Sequence, residues 1–303
     1  MSVVRVTFLL CLYCANLTWA FLNNPGVRLT NPQSSVATYN AGEPLFLTPF
    51  IDANQIDEAR NLSRVEPPLL DHVESYSGFL TVNRTTKSHL FFWFIPKTKI
   101  DHTSAPLILW LQGGPGVSSL FGLFTGNGPF KATKRCGLHQ RHHAWTEHYH
   151  MLYIDQPVGT GFSFAEDENG HIHNLDGVGE HLLEALIQFY KLFPHLKQHD
   201  FYIAGESYAG KYVPAFGYRI HTASLQPHFP VIPLRGMMIG NGCSDPENML
   251  YYAEYLYGLN FIGKNDLVRL QKTQDELKYL IQGEQWLLAY DLYGKLFDDI
   301  GSL

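Results

Sequence analysis

The stretch that decides the fold is Phe201-Tyr202-Ile203-Ala204-Gly205-Glu206-Ser207-Tyr208-Ala209-Gly210. Phe201 to Ala204 is a short apolar run of the kind that forms a fully buried strand. The residues after Gly210 read as helix. A serine at so abrupt a strand-to-helix turn sits on strained backbone that draws its neighbours together, so the positions two before and two after it must be small. Gly205 and Ala209 meet that need. The pattern is a nucleophile elbow with Ser207 as candidate nucleophile, and the helix starting behind it would stabilise negative charge developing near the hydroxyl. Alone, Gly-x-Ser-x-Ala is loose enough to be an ordinary turn with an incidental serine, so the surrounding sequence has to decide.

Working outward, Pro106 to Leu111, Met151 to Ile154 and Leu234 to Ile239 are further short apolar runs, the first two ended by glycine-rich turns. Ser77 to Val82 and Leu90 to Ile95 read as strands joined through Asn83-Arg84-Thr85-Thr86-Lys87 as a hairpin. Between them and the elbow, Val178, Leu182, Leu186, Phe189 and Phe193 repeat at helical spacing from about Asp176, and Pro194 ends the helix. Strands alternating with helices predict an α/β fold with a mostly parallel sheet covered on both faces. From Tyr251 the chain becomes helical, with Leu267, Leu270, Gln274, Leu277 and Ile281 at near-heptad spacing and an aromatic-rich helix over Gln285 to Phe297. The predicted organisation is a leader over 1–20, an irregular N-terminal arm over 21–75, an α/β core over 76–250 and a helical cap or insertion over 251–303.

Composition narrows the partners. With 303 residues, 45% hydrophobic and 17% charged, the chain can bury a large core. A net charge of −6 supplies no basic surface for nucleic acid or anionic membrane. The first twenty residues carry Arg5, an apolar run from Val6 to Tyr13 and a small residue at Ala20. They predict a signal peptide cleaved near Ala20 and too short to act as a membrane anchor. Cys11 and Cys14 fall within it, leaving Cys136 and Cys243, which could pair with each other or with partners elsewhere. Asn61-Leu62-Ser63 and Asn83-Arg84-Thr85 are N-glycosylation triplets.

A second motif supports the elbow. Trp110-Leu111-Gln112-Gly113-Gly114-Pro115-Gly116-Val117-Ser118-Ser119 comes directly after a strand, and a Gly-Gly loop there can present bare backbone N–H groups to an oxyanion. In folds with such an elbow the second donor is the N–H of the residue after the nucleophile, here Tyr208. A phosphate cradle is the competing reading, but it would want a Lys followed by Ser or Thr after the glycines, which is not present.

These strings, together with Leu152-Tyr153-Ile154-Asp155-Gln156-Pro157-Val158-Gly159-Thr160-Gly161-Phe162-Ser163-Phe164 and the continuation Lys211-Tyr212-Val213-Pro214, resemble the serine carboxypeptidases. Gly42-Glu43-Pro44-Leu45-Phe46-Leu47-Thr48-Pro49 and Gln112 resemble the vitellogenic-like branch most. The resemblance runs from about residue 40 to Leu303. It implies an α/β-hydrolase fold, no cofactor, and release of single amino acids from peptides with a free C-terminus through an acyl-enzyme, in the secretory pathway and either secreted or lysosomal. By resemblance Ser207 is the nucleophile, Gly114 and Tyr208 supply oxyanion N–H groups, and Gln112, Gly113 and Glu206 bind the terminal carboxylate. A homodimer is among the assemblies it allows. A carboxylic acid beside a carboxylate helps only by sharing a proton, which ties Glu206 to low pH; the bland alternative is a helix-start acid.

Two departures qualify that expectation. Relatives often carry an acid where this chain has Gly126, ahead of Asn127-Gly128-Pro129. The family's Asp and His lie well over a hundred residues beyond the serine, whereas 303 − 207 = 96 residues come after Ser207 and the last histidine is His228. His221 and His228 have the wrong positions to replace it. His139, His142, His143, His148 and His150 have spacings that occur in zinc sites, but too unspecifically to support a metal. The expectation is therefore a truncated product, inactive and poorly stable alone, lacking the strands that complete the sheet and leaving an open apolar edge. Two alternatives stand beside a peptidase: a peptide-binding pseudoenzyme, and an acyltransferase or esterase on the same fold.

Overall fold

The computed structural model describes residues 43–65, 73–99, 104–132 and 138–302. The predicted signal peptide and Cys136 lie outside them. The strands are β1 (Arg64–Val65), β2 (Ser75–Asn83), β3 (Ser88–Ile95), β4 (Leu107–Leu111), β5 (Phe130–Ala132), β6 (Leu138–Gln140), β7 (His150–Ile154), β8 (Phe164–Ala165), β9 (Phe201–Glu206) and β10 (Leu234–Gly240). The α-helices are α1 (Thr48–Asp52), α2 (Ile56–Ser63), α3 (Leu175–Leu192), α4 (Ala209–Ser224), α5 (Tyr252–Gly258), α6 (Lys264–Gln282) and α7 (Trp286–Gly301).

Among the described residues the main sheet runs β1-β2-β3-β7-β4-β9-β10, with β8 paired to β3. The hairpin edge is antiparallel, from β1 through β2 and β3 to β7. The remainder is parallel, with β4 between β7 and β9 and β10 beside β9. The predicted strands, hairpin and mostly parallel sheet are thus all present. Strands alternate their side chains between faces, and β3 shows the result. Phe92 and Phe94 join one core cluster with Leu109, Leu182, Leu186, Phe189 and Val213. Phe91, Trp93 and Ile95 join another with Ile108, Tyr153 and Phe124. Burial on both faces is why β3 reads as a continuous apolar run and not an alternating one.

Helix α3 begins where the Asn174 side chain accepts the Gly177 N–H at 2.8 Å, and buries the stripe Val178, Leu182, Leu186 and Phe189. Helix α4 starts two residues after Ser207 and buries Tyr212, Val213, Phe216 and Ile220.

The arm expected to be irregular needs correction. Its described part holds α1 and α2, and Leu47, Ile51 and Ala59 belong to the core. The Pro- and Asn-rich composition hid them because both helices are short, and Pro49 lies in the first turn of α1, where a missing N–H costs nothing.

The chain divides into two units, residues through Gly242 and Cys243–Leu303. In the second, Ala253, Leu270, Leu277, Ala289 and Leu296 form a small core. Gln274 of the near-heptad series is buried because its Oε1 accepts the Ala253 N–H at 2.8 Å. No helix of the described residues is long and apolar enough to cross a membrane.

Candidate active site

The site lies where β4 and β9 end side by side, paired through Leu111 and Gly205. Strand β9 runs to Glu206, and the chain then turns through Ser207 at φ +62° into α4. Positive φ on a non-glycine residue is strained backbone. It is held here by the Ser207 N–H donating to the Gly240 carbonyl at 3.0 Å and the Gly210 N–H donating to the Ser207 carbonyl at 2.9 Å. A Cβ on Gly205 would stand 2.6 Å from the Ala209 Cβ and 2.7 Å from the Leu111 carbonyl oxygen, which explains the demand for small residues on both sides. Ser207 itself is exposed.

The glycine loop rests directly on the elbow. A Cβ on Gly113 would be 2.7 Å from the Glu206 carbonyl oxygen, 3.0 Å from the Ser207 Cβ and closer still to the Tyr208 nitrogen. Gly114, at φ +113°, and the residues through Val117 are solvent-exposed. Gln112 is buried and donates from Nε2 to Glu206 Oε2 at 2.9 Å. The Trp110 indole donates to Gln112 Oε1 at 3.2 Å. An indole N–H only donates, so the amide has one orientation, with its NH2 toward Glu206. The structure thus brings Gln112, Gly113, Glu206, Ser207 and Tyr208 together.

Other candidates lie apart. His221 is exposed, twelve residues into α4 from Ala209, about 18 Å along the axis at the usual helix rise. His228 is exposed in the segment before β10, at the opposite end of the sheet. His139, His142, His143 and His148 are exposed, and His150 starts β7, where its Nδ1 accepts the Lys97 N–H at 3.2 Å. No group of three or more metal-binding side chains occurs among the described residues. Gly126 is exposed with open space around it. Asn61 is exposed on α2, and Asn83 opens the hairpin turn by accepting the Thr85 and Thr86 N–H groups at 2.9 and 3.2 Å. Cys243 lies 3.9 Å from the Tyr293 hydroxyl.

Motif reading alone misses one participant. Asp155, at the end of β7, is 1% exposed. Its Oδ1 accepts the Ser118 hydroxyl at 2.6 Å and the Ser119 N–H at 2.9 Å, and its Oδ2 accepts the Phe162 N–H at 3.0 Å. Burial pushes its carboxyl up to about 6, against the opposing effect of these donors. The available signal was a lone acid directly after an apolar strand run, a place where a charge needs dedicated partners.

A strained serine at a strand-to-helix elbow with a glycine loop folded onto it, at the ends of parallel strands, is the arrangement of the α/β-hydrolase fold. The chain belongs to the serine carboxypeptidase family, whose profile matches residues 66–289. It is 48% identical over 86% of its length to the venom serine carboxypeptidase of Apis mellifera and 49% identical over 84% to the vitellogenic carboxypeptidase of Aedes aegypti, covering 55% and 53% of those proteins. The chain therefore spans about half the length of the curated relatives it matches. In fold it is similar to Kex1(delta)p, a prohormone-processing carboxypeptidase from Saccharomyces cerevisiae, with a TM-score of 0.69, 24% identity, and coverage of 79% of this chain and 58% of that one.

Proposed function

We propose that the protein is a serine-type carboxypeptidase that releases amino acids from the C-termini of peptides. Ser207 attacks the last peptide carbonyl, the Gly114 and Tyr208 N–H groups hold the oxyanion, the C–N bond breaks as the hydroxyl proton passes to the amine of the departing amino acid, and water then cleaves the acyl-serine and returns a proton to the serine oxygen. Gln112, Gly113 and Glu206 receive the substrate's free carboxylate. The observation that carries this reading is the Gln112–Glu206 hydrogen bond of 2.9 Å, which sets an amide donor and a carboxyl group side by side next to the nucleophile. An esterase or acyltransferase has no use for such a carboxylate receptor. Protein isolated from its source, with its mass recorded, should cleave a blocked dipeptide with a free C-terminus and leave the amidated dipeptide intact; equal cleavage of both would defeat the proposal.

A second reading is a peptide-binding protein that holds C-termini without cutting them. Its support is that His221 and His228, the described histidines that follow Ser207, are exposed and lie away from the elbow. Saturable binding of free-acid but not amidated peptides, with no product formed, would favour it. Passage through the secretory pathway, to secretion or the lysosome, fits either reading; one relative is named a venom protein. Asn83, on an exposed turn, and Asn61 are then glycan acceptors, and a mass loss on endoglycosidase treatment that disappears in Asn83→Gln and Asn61→Gln would test them.

A further inference from the structure

Two loops meet behind the elbow, the glycine loop after β4 and the 156–163 loop after β7, and a single carboxylate joins them. The Asp155 oxygens receive Ser118 Oγ and Ser119 N from the first loop and Phe162 N from the second. The second loop is itself clamped to the sheet: Ser163 Oγ donates to the Asp155 carbonyl at 2.6 Å and accepts the Phe91 N–H at 2.8 Å. The first loop continues the chain of bonds toward the site. Ser119, 1% exposed, accepts the Gln112 N–H on its Oγ at 3.1 Å, and the Val117 N–H donates to the Gly113 carbonyl at 3.1 Å. Two hydrogen bonds therefore separate Asp155 from the backbone that enters Gly113. Room for the carboxylate comes from Gly161, at φ +56°, where a Cβ would lie 2.6 Å from Asp155 Cγ and 3.0 Å from the Ser118 Cβ.

We propose that Asp155 is a positioning residue for the reaction at Ser207: it fixes Ser119, Ser119 fixes the Gln112 amide, and the Gly113-Gly114 segment is thereby held at its distance from the elbow. Asp155 acts through the loop residues that it binds, with Ser119 as the link to Gln112. A buried carboxylate suits this task because it accepts several donors at once, whereas an amide in its place would present an NH2 to an N–H and lose at least one of them. The role rests on the carboxypeptidase reading for its consequence in catalysis, but the coupling between Asp155 and the glycine loop does not.

The test compares full-length wild type, Asp155→Asn, Ser119→Ala and the double variant. Hydrolysis of a blocked free-acid dipeptide should lose at least about tenfold in kcat in either single variant, with KM within about twofold, as expected when oxyanion donors are displaced but ground-state binding is kept. The double variant should be no worse than Asp155→Asn alone, because both act along one path. Amide hydrogen exchange of the 112–120 segment should quicken in each variant while that of α3 stays as in wild type. Unchanged kcat in folded variants, multiplicative losses in the double variant, or an unchanged 112–120 segment would each overturn the proposal. A wild type that hydrolyses nothing would defeat the carboxypeptidase reading and the catalytic consequence with it, and the exchange comparison would still decide whether Asp155 holds the loop.

Discussion

Gly113 and Tyr208 meet backbone to backbone, so closely that any side chain on Gly113 would strike the Tyr208 nitrogen and stand 2.7 Å from the Glu206 carbonyl oxygen. The contact holds two candidate oxyanion donors, Gly114 N and Tyr208 N, on adjacent rigid elements. Gly113→Ala should therefore separate the loop from the elbow, lowering kcat by about a hundredfold or more, the scale seen when one oxyanion donor is lost. Strain on this scale should also cost about 1–3 kcal/mol of stability. Kinetics and urea midpoints on the same preparation check both. Full activity in a folded Gly113→Ala protein would show that the contact is incidental.

The carboxylate receptor makes a separate prediction. Gln112 is oriented by the Trp110 indole and bonded to Glu206, so one N–H of its amide remains for a ligand. Gln112→Ala should weaken binding of a free-acid peptide by about tenfold, the loss of one hydrogen bond to a charged group, while leaving the weak binding of the amidated peptide unchanged. Calorimetric titration of both peptides measures the ratio. Equal weakening of the two would mean that Gln112 supports the fold and not the ligand.

Much of this was legible in the chain because the signals are local. The elbow needs only Gly205, Ser207 and Ala209, and the buried strands only their apolar runs. The helices over Thr48–Asp52 and Ile56–Ser63 were not, because each is too short for its periodicity to stand out from the prolines and asparagines around it. Nor were the pairings that build the site. Gln112 meets Glu206 across 94 residues and Ser118 meets Asp155 across 37, and separations of that kind are set by the order of strands in the sheet, which no local pattern encodes. Among the described residues β10 ends the strand order, and its Met237, Met238 and Ile239 are exposed.

That edge predicts self-association of this chain. A parallel edge with unpaired backbone groups and apolar side chains is a template for pairing with another strand. Ile239→Lys should lower the weight-average mass in sedimentation at high concentration without shifting the melting temperature by more than a few degrees, since an exposed substitution costs about 0.5 kcal/mol or less. Unchanged sedimentation would place any association elsewhere.

Stability against pH should reveal two buried groups working in opposite senses. Asp155 holds its proton up to about 6, above its ordinary value of 3.8, because burial disfavours the anion. Between those values the folded chain binds a proton that the unfolded chain has released, so stability falls as pH rises, by about 3 kcal/mol in all at 1.36 kcal/mol per pH unit. His150 is pulled down from 6.5 to about 4, first by burial and then by His199, His195 and Lys97. There the unfolded chain binds the extra proton, and stability rises with pH through the same window. His89, His181 and His195 are lowered in the same direction, burial again being the main cause. Wild type should thus gain stability between about pH 4.5 and 6, the histidines together outweighing the opposite slope from Asp155. Asp155→Asn, less stable throughout because a buried donor loses its acceptor, should gain stability more steeply with rising pH. His150→Gln should do the reverse. Urea midpoints at the two pH values separate the cases, and parallel slopes for wild type and Asp155→Asn would mean that Asp155 is ionised across the whole range and contributes no pH dependence at all.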